Sequence, residues 1–95
     1  MSARAAAAAA PVTMYTTGWC GFCARARALL ERKGVQWTEI NLEDQPERRA
    51  EMVERTGRRT VPQIFIGERH IGGADELSAL DQTGALDELL RSGAG

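Results

Sequence analysis

Cysteine, histidine and long apolar stretches are scarce in this 95-residue chain. Its two cysteines, Cys20 and Cys23, enclose so short a loop that a disulfide between them would stabilise the fold little. We therefore expect no structural disulfide framework, and this cysteine usage favours a reducing, cytoplasmic setting. A structural zinc site needs four ligands. One chain offers the two cysteines and a single histidine, His70, so only a dimer could complete such a site.

Strong net charge and membrane-spanning segments are also missing. The formal net charge of −1 gives no support for a nucleic-acid partner or for binding to an acidic membrane surface. No stretch approaches the length that spans a membrane, and the apolar run near the N-terminus is only alanine. We predict a disordered alanine-rich leader over residues 1–11, one folded domain over 12–92 and a flexible tail over 93–95.

Apolar periodicity predicts an α/β domain in the order strand, helix, strand, helix, strand, strand, helix, helix. Phe22 belongs to the predicted inward face of the first helix, and Pro46 is predicted to begin the second. The first βαβ unit should be parallel, whereas the turn at Gly67-Glu68 predicts an antiparallel hairpin. These elements predict a mixed four-stranded sheet flanked by helices, which is the thioredoxin-like architecture.

The two cysteines lie in the segment Cys20-Gly21-Phe22-Cys23, where the first strand gives way to the first helix. A helix N-terminus stabilises a thiolate through its unpaired amide N–H groups and the positive end of the helix dipole. We therefore expect Cys20 to be the nucleophile. Cys23, one turn inside the helix, should stay a protonated thiol that resolves the intermediate. Two buried inert cysteines are the alternative, but the flanking glycines and Trp19 are typical of an exposed turn.

Three further residues have two interpretations each. His70 lies on the predicted edge strand, and we expect a half-exposed residue without a catalytic role because the helix dipole already activates Cys20. Arg25 and Arg27 follow the dithiol in the first helix. They either add positive potential near the thiolate or form a solvated helix face.

A second motif, Thr60-Val61-Pro62, comes just before the strand predicted over Gln63–Ile66. Pro62 cannot donate to a strand ladder, so it belongs at the start of that strand. An ordinary trans proline is the commoner arrangement. A cis Val61–Pro62 bond would instead turn the N–H and C=O of Val61 outward, where an extended substrate backbone could pair with them.

The third motif is Gly72-Gly73-Ala74-Asp75. Its two glycines permit close backbone approach and unusual dihedral angles. Asp75, at the start of the third helix, is expected to act as the N-cap, to accept from a ligand ammonium, or to do both. The exposed helix N-terminus also favours an anionic group on the ligand.

Together the three motifs resemble the glutaredoxin family, in particular the bacterial glutaredoxin 3 group. The similarity covers nearly everything from Val12 to Leu90. It is strongest over Arg59–Ile66 and continues through His70–Gly73 to Leu77 and residues 79–81. The resemblance implies a thioredoxin-like (glutaredoxin) fold and a cis Pro62.

The resemblance also implies a glutathione-dependent thiol–disulfide oxidoreductase, with glutathione as co-substrate and glutathionylated or disulfide-containing proteins as partners. Cys20 would form the mixed disulfide and Val61 would pair with the cysteinyl backbone of glutathione. Asp75 and the Gly73 region would hold the γ-glutamyl end, and Arg59 would pair with a glutathione carboxylate. The residues implied to bind glutathione are Cys20, Phe22, Arg59, Thr60, Val61, Pro62, Gly73, Ala74 and Asp75.

Two departures from the family pattern bear on function. Thr17 stands where many members have a lysine close to the thiolate, so one cation of glutathione recognition is missing. Gly21 stands where proline is usual, and Phe22 replaces the usual tyrosine. Relatives with Gly or Ser at the position of Gly21 include some that bind a [2Fe–2S] cluster between two subunits, through the first cysteine of each and two glutathiones. A cluster-binding dimer with Cys20 as ligand, acting as a carrier or redox sensor, is therefore an alternative. Without a cluster we expect no metal ligand and a monomer.

The segment Tyr15–Cys23 is also similar to two related families. Thioredoxins share Trp-Cys-Gly but have proline where Phe22 stands. Mycoredoxins match the segment closely and use mycothiol, a different small thiol. They are not expected to carry the Gly72–Asp75 motif, so glutathione is favoured over mycothiol.

Overall fold

A computed structural model describes residues 10–92 and contains the eight predicted elements in the predicted order. The strands are β1 (Val12–Thr16), β2 (Thr38–Asn41), β3 (Gln63–Ile66) and β4 (Arg69–Gly72). The helices are α1 (Gly21–Arg32), α2 (Arg48–Thr56), α3 (Ala74–Thr83) and α4 (Ala85–Ser92). The sheet has the strand order β2-β1-β3-β4, with β1 parallel to β2 and antiparallel to β3. Because β4 is antiparallel to β3, the predicted mixed four-stranded sheet is confirmed.

Both faces of the central strands β1 and β3 are buried. Successive side chains along a strand point to opposite faces, so each strand contributes to two cores. Met14 of β1 and Ile64 of β3 contribute to the core beneath α1, α3 and α4. Their neighbours Tyr15 and Phe65 contribute to a second core beneath α2. The all-apolar run at residues 64–66 therefore belongs to a strand that is covered on both sides.

The predicted start of α2 at Pro46 is wrong, because the helix begins at Arg48. Arg48 N–H donates to Gln45 O at 3.0 Å and Arg49 N–H to Pro46 O at 3.2 Å, so a tight turn precedes the regular helix. Proline sets a helical φ but does not itself make the following residues adopt the α-helical hydrogen-bond pattern. α2 ends at Gly57, which adopts a left-handed conformation with φ of +73°.

Two residues that the sequence places in the leader are attached to the domain. Ala10 N–H donates to Leu90 O at 3.0 Å, and Pro11 O accepts from Gly67 N–H at 2.7 Å. The remainder of the predicted leader, residues 1–9, and the predicted tail, 93–95, lie outside the described residues. Within the described part of the chain, no helix has the length and apolar character needed to cross a bilayer.

A polar network joins the start of β2 to α1 and β1. Glu39 accepts from the buried Thr16 hydroxyl at 2.9 Å, from Arg27 Nη2 at 2.6 Å and from the Trp37 indole at 3.1 Å. These donors, with the Arg27 bond the largest cause, lower the pKa of Glu39 from 4.5 to about 2. The ionised carboxylate therefore stabilises the packing of α1 against the β1–β2 pair.

We predict that Glu39→Gln lowers the free energy of unfolding by about 1 kcal/mol at pH 7, because charge-assisted hydrogen bonds are lost. The pKa of Glu39 is lower in the folded than in the unfolded protein. Its contribution is therefore present above about pH 4.5 and disappears as the pH falls toward 2. Urea unfolding at decreasing pH should show the two proteins converging in stability. Glu31→Gln, at an exposed residue of α1, is the matched control and should match wild type throughout.

Candidate active site

Cys20 occupies the N-cap position of α1, four residues after the end of β1. Its backbone is extended, with φ of −155° and ψ of 105°, and its Sγ accepts a hydrogen bond from Cys23 N–H at 3.1 Å. Sulfur here takes the place that a Ser, Thr or Asp oxygen usually has in a helix cap. The sulfur therefore lies at the positive end of the helix dipole, where a thiolate is favoured.

Cys23 has the opposite environment. It is fully buried, and burial together with a hydrogen bond to Cys20 raises its pKa from 9.0 to about 12. Cys23 is therefore a protonated thiol at neutral pH, as the sequence predicts. The helix presents one sulfur at the surface and holds the other in the interior.

The second motif lies directly against the nucleophile. The Val61–Pro62 bond is cis, which confirms that prediction, and Pro62 immediately precedes β3. The Cys20 thiol donates to Val61 O at 3.6 Å. The structure thus brings together Cys20 and Val61, although 41 positions separate them in the chain.

The third motif also reaches this site, but Asp75 is not the helix N-cap. That position belongs to Gly73, whose N–H donates to the Glu76 carboxylate at 2.7 Å. Gly72, the last residue of β4, has φ of +119°, and a Cβ there would lie 2.9 Å from Glu76 Oε1, so glycine is required at this turn. A Cβ on Gly73 would lie 3.4 Å from Pro62 O, which places the start of α3 beside the cis proline.

Asp75 and Arg25 connect the first turns of α3 and α1. Arg25 Nη2 lies 3.5 Å from Asp75 Oδ1, and both side chains are more than half exposed. The same guanidinium lies 5.4 Å from the centroid of the Phe22 ring. Phe22 was predicted to face the core but is 54% exposed, because the buried stripe of α1 runs through Cys23, Ala26, Leu29 and Leu30, and Cys23 takes the inward position in the first turn.

The two arginines that follow the dithiol are paired with carboxylates, Arg25 with Asp75 and Arg27 with Glu39. Arg27 nevertheless lies close enough to the dithiol for its charge to oppose the rise in the pKa of Cys23. The interpretation of these residues as a purely solvated face is therefore wrong for Arg27, whose side chain forms part of the network under β1.

Of the remaining predicted residues, Arg59 and Thr60 lie in the turn before β3, and His70 lies on β4. Arg59 is exposed, and its carbonyl accepts from Arg49 Nη1 at 2.7 Å. The Thr60 carbonyl accepts from Gln63 Nε2 at 3.0 Å. His70 is partly buried and hydrogen-bonds Gln63 Oε1 at 2.7 Å. Burial, with a smaller contribution from nearby arginine charge, lowers the pKa of His70, so it is neutral at pH 7.

Sequence reasoning missed two residues that shape the site. Gln63 is a buried polar side chain that joins the Thr60 turn to β4, and a lone amide at the start of an apolar strand could have signalled it. Glu76 stands three residues after Gly73, which is the spacing of a helix capping box. Among residues 10–92 no three His, Cys, Asp or Glu side chains gather as a metal site would require.

Comparison with known proteins agrees with this geometry. Residues 12–71 match the family model described as Glutaredoxin. A glutaredoxin of Pseudomonas aeruginosa is 55% identical over 80 residues, which cover 84% of this chain and 95% of that protein. Glutaredoxin 3 of Escherichia coli K12 is 51% identical over 82 residues, covering 86% and 99%. The crystal structure of a buckwheat glutaredoxin-glutathione complex has a TM-score of 0.79 at 32% identity and covers 94% of this chain and 84% of that one.

The fold and the dithiol at the start of α1 define a thioredoxin-like thiol–disulfide oxidoreductase. Within that class the chain belongs to the glutaredoxin family, whose members are glutathione-dependent enzymes.

We predict that iodoacetamide modifies a single thiol of the reduced native protein at pH 7. Cys20→Ser should be almost unreactive, because the remaining thiol is buried and has a pKa of about 12. Cys23→Ser should react as wild type does. Mass spectrometry after timed quenching measures both rates, and each variant unfolded in urea provides the control for complete labelling. Equal native rates for the two variants would contradict the assigned asymmetry.

Proposed function

We propose that the protein is a dithiol glutaredoxin that reduces protein–glutathione mixed disulfides and protein disulfides, acting in the cytoplasm as a monomer. Cys20 is the nucleophile and Cys23 the resolving thiol. The observation that carries this proposal is the hydrogen bond from Cys23 N–H to Cys20 Sγ at the start of α1. It stabilises negative charge on the sulfur that solvent and substrate can reach.

In the first step the Cys20 thiolate attacks the glutathione sulfur of a glutathionylated protein. The Cys20–glutathione bond forms, the bond between glutathione and the protein breaks, and the protein cysteine leaves as a thiolate that takes a proton from water. A second glutathione thiolate then attacks the sulfur of the bound glutathione. Oxidised glutathione forms and Cys20 leaves as a thiolate, again stabilised by Cys23 N–H.

Cys23 provides the alternative second step, in which its thiolate attacks Cys20 and expels glutathione or a protein thiolate. Cys23 is fully buried, whereas the mixed disulfide on Cys20 lies at the start of α1, where free glutathione can reach it. We therefore expect free glutathione to resolve the glutathione mixed disulfide. The Cys23 route would serve protein disulfides, for which the helix holds the second thiol within reach of Cys20.

The proposed glutathione groove is built from the stretches that meet at Cys20. Val61 supplies backbone groups for the cysteinyl residue, next to Pro62 and Thr60. Gly73, Ala74 and Asp75 form the start of α3 for the γ-glutamyl end. Arg59 would meet a carboxylate, and Phe22 borders the groove. The buckwheat glutaredoxin bound to glutathione supports this assignment by its similar fold.

Asp75 is available to bind the γ-glutamyl ammonium because its ion pair with Arg25 is weak. Its carboxylate is 77% exposed and lies 3.5 Å from Arg25, and such exposed ion pairs contribute little in water. A ligand ammonium could therefore bind Asp75 without a large cost for separating it from Arg25.

We expect Cys20→Ser to abolish glutathione-dependent turnover of a glutathionylated peptide, since no other described thiol is exposed. Cys23→Ser should retain that activity and lose reduction of protein disulfides, because only the latter requires a second thiol. Coupled assays with glutathione, and in parallel with mycothiol, measure both reactions and identify the co-substrate. Full turnover by Cys20→Ser would refute the assignment of the nucleophile.

Asp75→Asn should raise KM for glutathione about tenfold, because a charge-assisted hydrogen bond to the ammonium is lost. The rate at saturating glutathione should change little, since Asp75 does not contact the reacting sulfur. Asp44→Asn, on the exposed loop after β2, is the matched control and should leave KM unchanged. An equal rise in both variants would show a general charge effect.

A [2Fe–2S] cluster does not fit one copy of the described chain. Such a cluster needs four ligands, whereas Cys20 is the one thiol near the surface and Cys23 is fully buried. The cluster alternative therefore requires a second copy and external thiols.

A further inference from the structure

The described residues expose two large apolar side chains, and both flank the nucleophile. Trp19, immediately before Cys20, is 97% exposed, and Phe22 is 54% exposed. Single exposed apolar residues are common on protein surfaces. Two aromatic rings on either side of a reacting sulfur instead indicate a surface that contacts another molecule.

The two rings differ in what surrounds them. Phe22 lies near the Arg25 guanidinium, which also pairs with Asp75, so this ring belongs to the side that faces α3. Trp19 keeps nearly all of its surface in water, so its indole has no comparable partner among residues 10–92. An indole offers a large apolar area at a low cost in conformational entropy, which suits it to binding.

The strand order places Trp19 on the side of Cys20 away from the proposed glutathione groove. The loops after β2, β1 and β4 and the turn before β3 all lie at one edge of the sheet, in the order β2-β1-β3-β4. The groove residues Val61 and Asp75 belong to the β3 and β4 half of this edge. Gly18 lies in the β2 half of this edge, because a Cβ on Gly18 would lie 2.5 Å from Oε1 of Glu43, a residue of the loop that follows β2.

Glu43 adds a negative charge to the β2 half of this edge. Its carboxylate lies against Gly18, just before Trp19 in the chain. No arginine, lysine or histidine of the described segment forms an ion pair with it. A carboxylate against the residue that precedes an exposed tryptophan is complementary to a polypeptide that carries a basic and a large apolar side chain.

We propose that Trp19 and Glu43 form a docking surface for the polypeptide part of the substrate. The surface takes a segment with a large apolar residue next to the reacting cysteine and a lysine or arginine nearby. This inference rests on the proposed function: Cys20 attacks the glutathione sulfur, and the polypeptide cysteine is expelled as a thiolate on the β2 side. Trp19 and Glu43 are specificity residues and take no part in the exchange of sulfur bonds.

The test uses glutathionylated peptides that differ at two positions, leucine or serine beside the cysteine and lysine or glutamate two residues away. The mixed disulfide of glutathione and mercaptoethanol serves as the small substrate. Trp19→Ala should lower kcat/KM about tenfold for the leucine peptides and less than about twofold for the serine peptides and the small substrate. Glu43→Gln should lower kcat/KM about threefold for the lysine peptides alone, and added salt should remove this difference.

Trp37→Phe is the matched control, because Trp37 packs against the core and its indole bonds to Glu39. This variant should retain the wild-type preference for leucine peptides. Equal activity of wild type on leucine and serine peptides would overturn the docking surface, as would an equal loss on the small substrate in Trp19→Ala. If wild type fails to reduce even the small substrate, the proposed function fails instead.

Fluorescence provides a second readout, since the chain has two tryptophans. In the triple variant Cys20→Ser, Cys23→Ser, Trp37→Phe, Trp19 is the sole tryptophan, and a glutathionylated peptide binds without exchange of sulfur bonds. The leucine peptide should shift the emission to shorter wavelength, and the serine peptide should leave it unchanged. A shift that develops with protein concentration, without peptide, would show that a second copy covers Trp19 and would overturn the proposal.

Discussion

The site depends on the bond in which Cys20 Sγ accepts the N–H of Cys23. It requires Cys20 to keep an extended backbone while the next residue already belongs to α1. It also requires α1 to be held firmly, and the buried Ala26, Leu29 and Leu30 anchor that helix to the sheet. The position of the reactive sulfur thus follows from the packing of residues one to three turns away.

One helix gives its two thiols opposite properties. Cys20 lies at the end of the dipole and at the surface, whereas Cys23 is one turn further and fully buried, with a pKa of about 12. Burial disfavours a thiolate, and the helix N-terminus favours one. This asymmetry leaves one thiol at the surface and keeps the other protonated in the interior.

The order of elements and the place of the dithiol could be predicted, because they depend on periodicity and on residue types with few conformational choices. The convergence of the three motifs was implied only by the resemblance to the glutaredoxins. The predictions are wrong where a short segment is compatible with two local conformations. Pro46 suits the first turn of a helix, yet a tight turn precedes α2. Asp75 suits a helix cap, yet Gly73 takes that position because Glu76 can accept its N–H. Phe22 follows the apolar stripe of α1, yet Cys23 takes the inward position in the first turn.

By itself the sequence determined the mixed sheet, the place of Cys20 at a helix start and the residues available for a substrate groove, since these follow from patterns within short segments. Only the tertiary structure decided that Val61 faces Cys20 and that Arg25 joins Phe22 to Asp75. It also placed Glu43 against the loop that carries Trp19. These contacts join residues far apart in the chain, and strand order and the path of each loop set them, neither of which a local pattern contains.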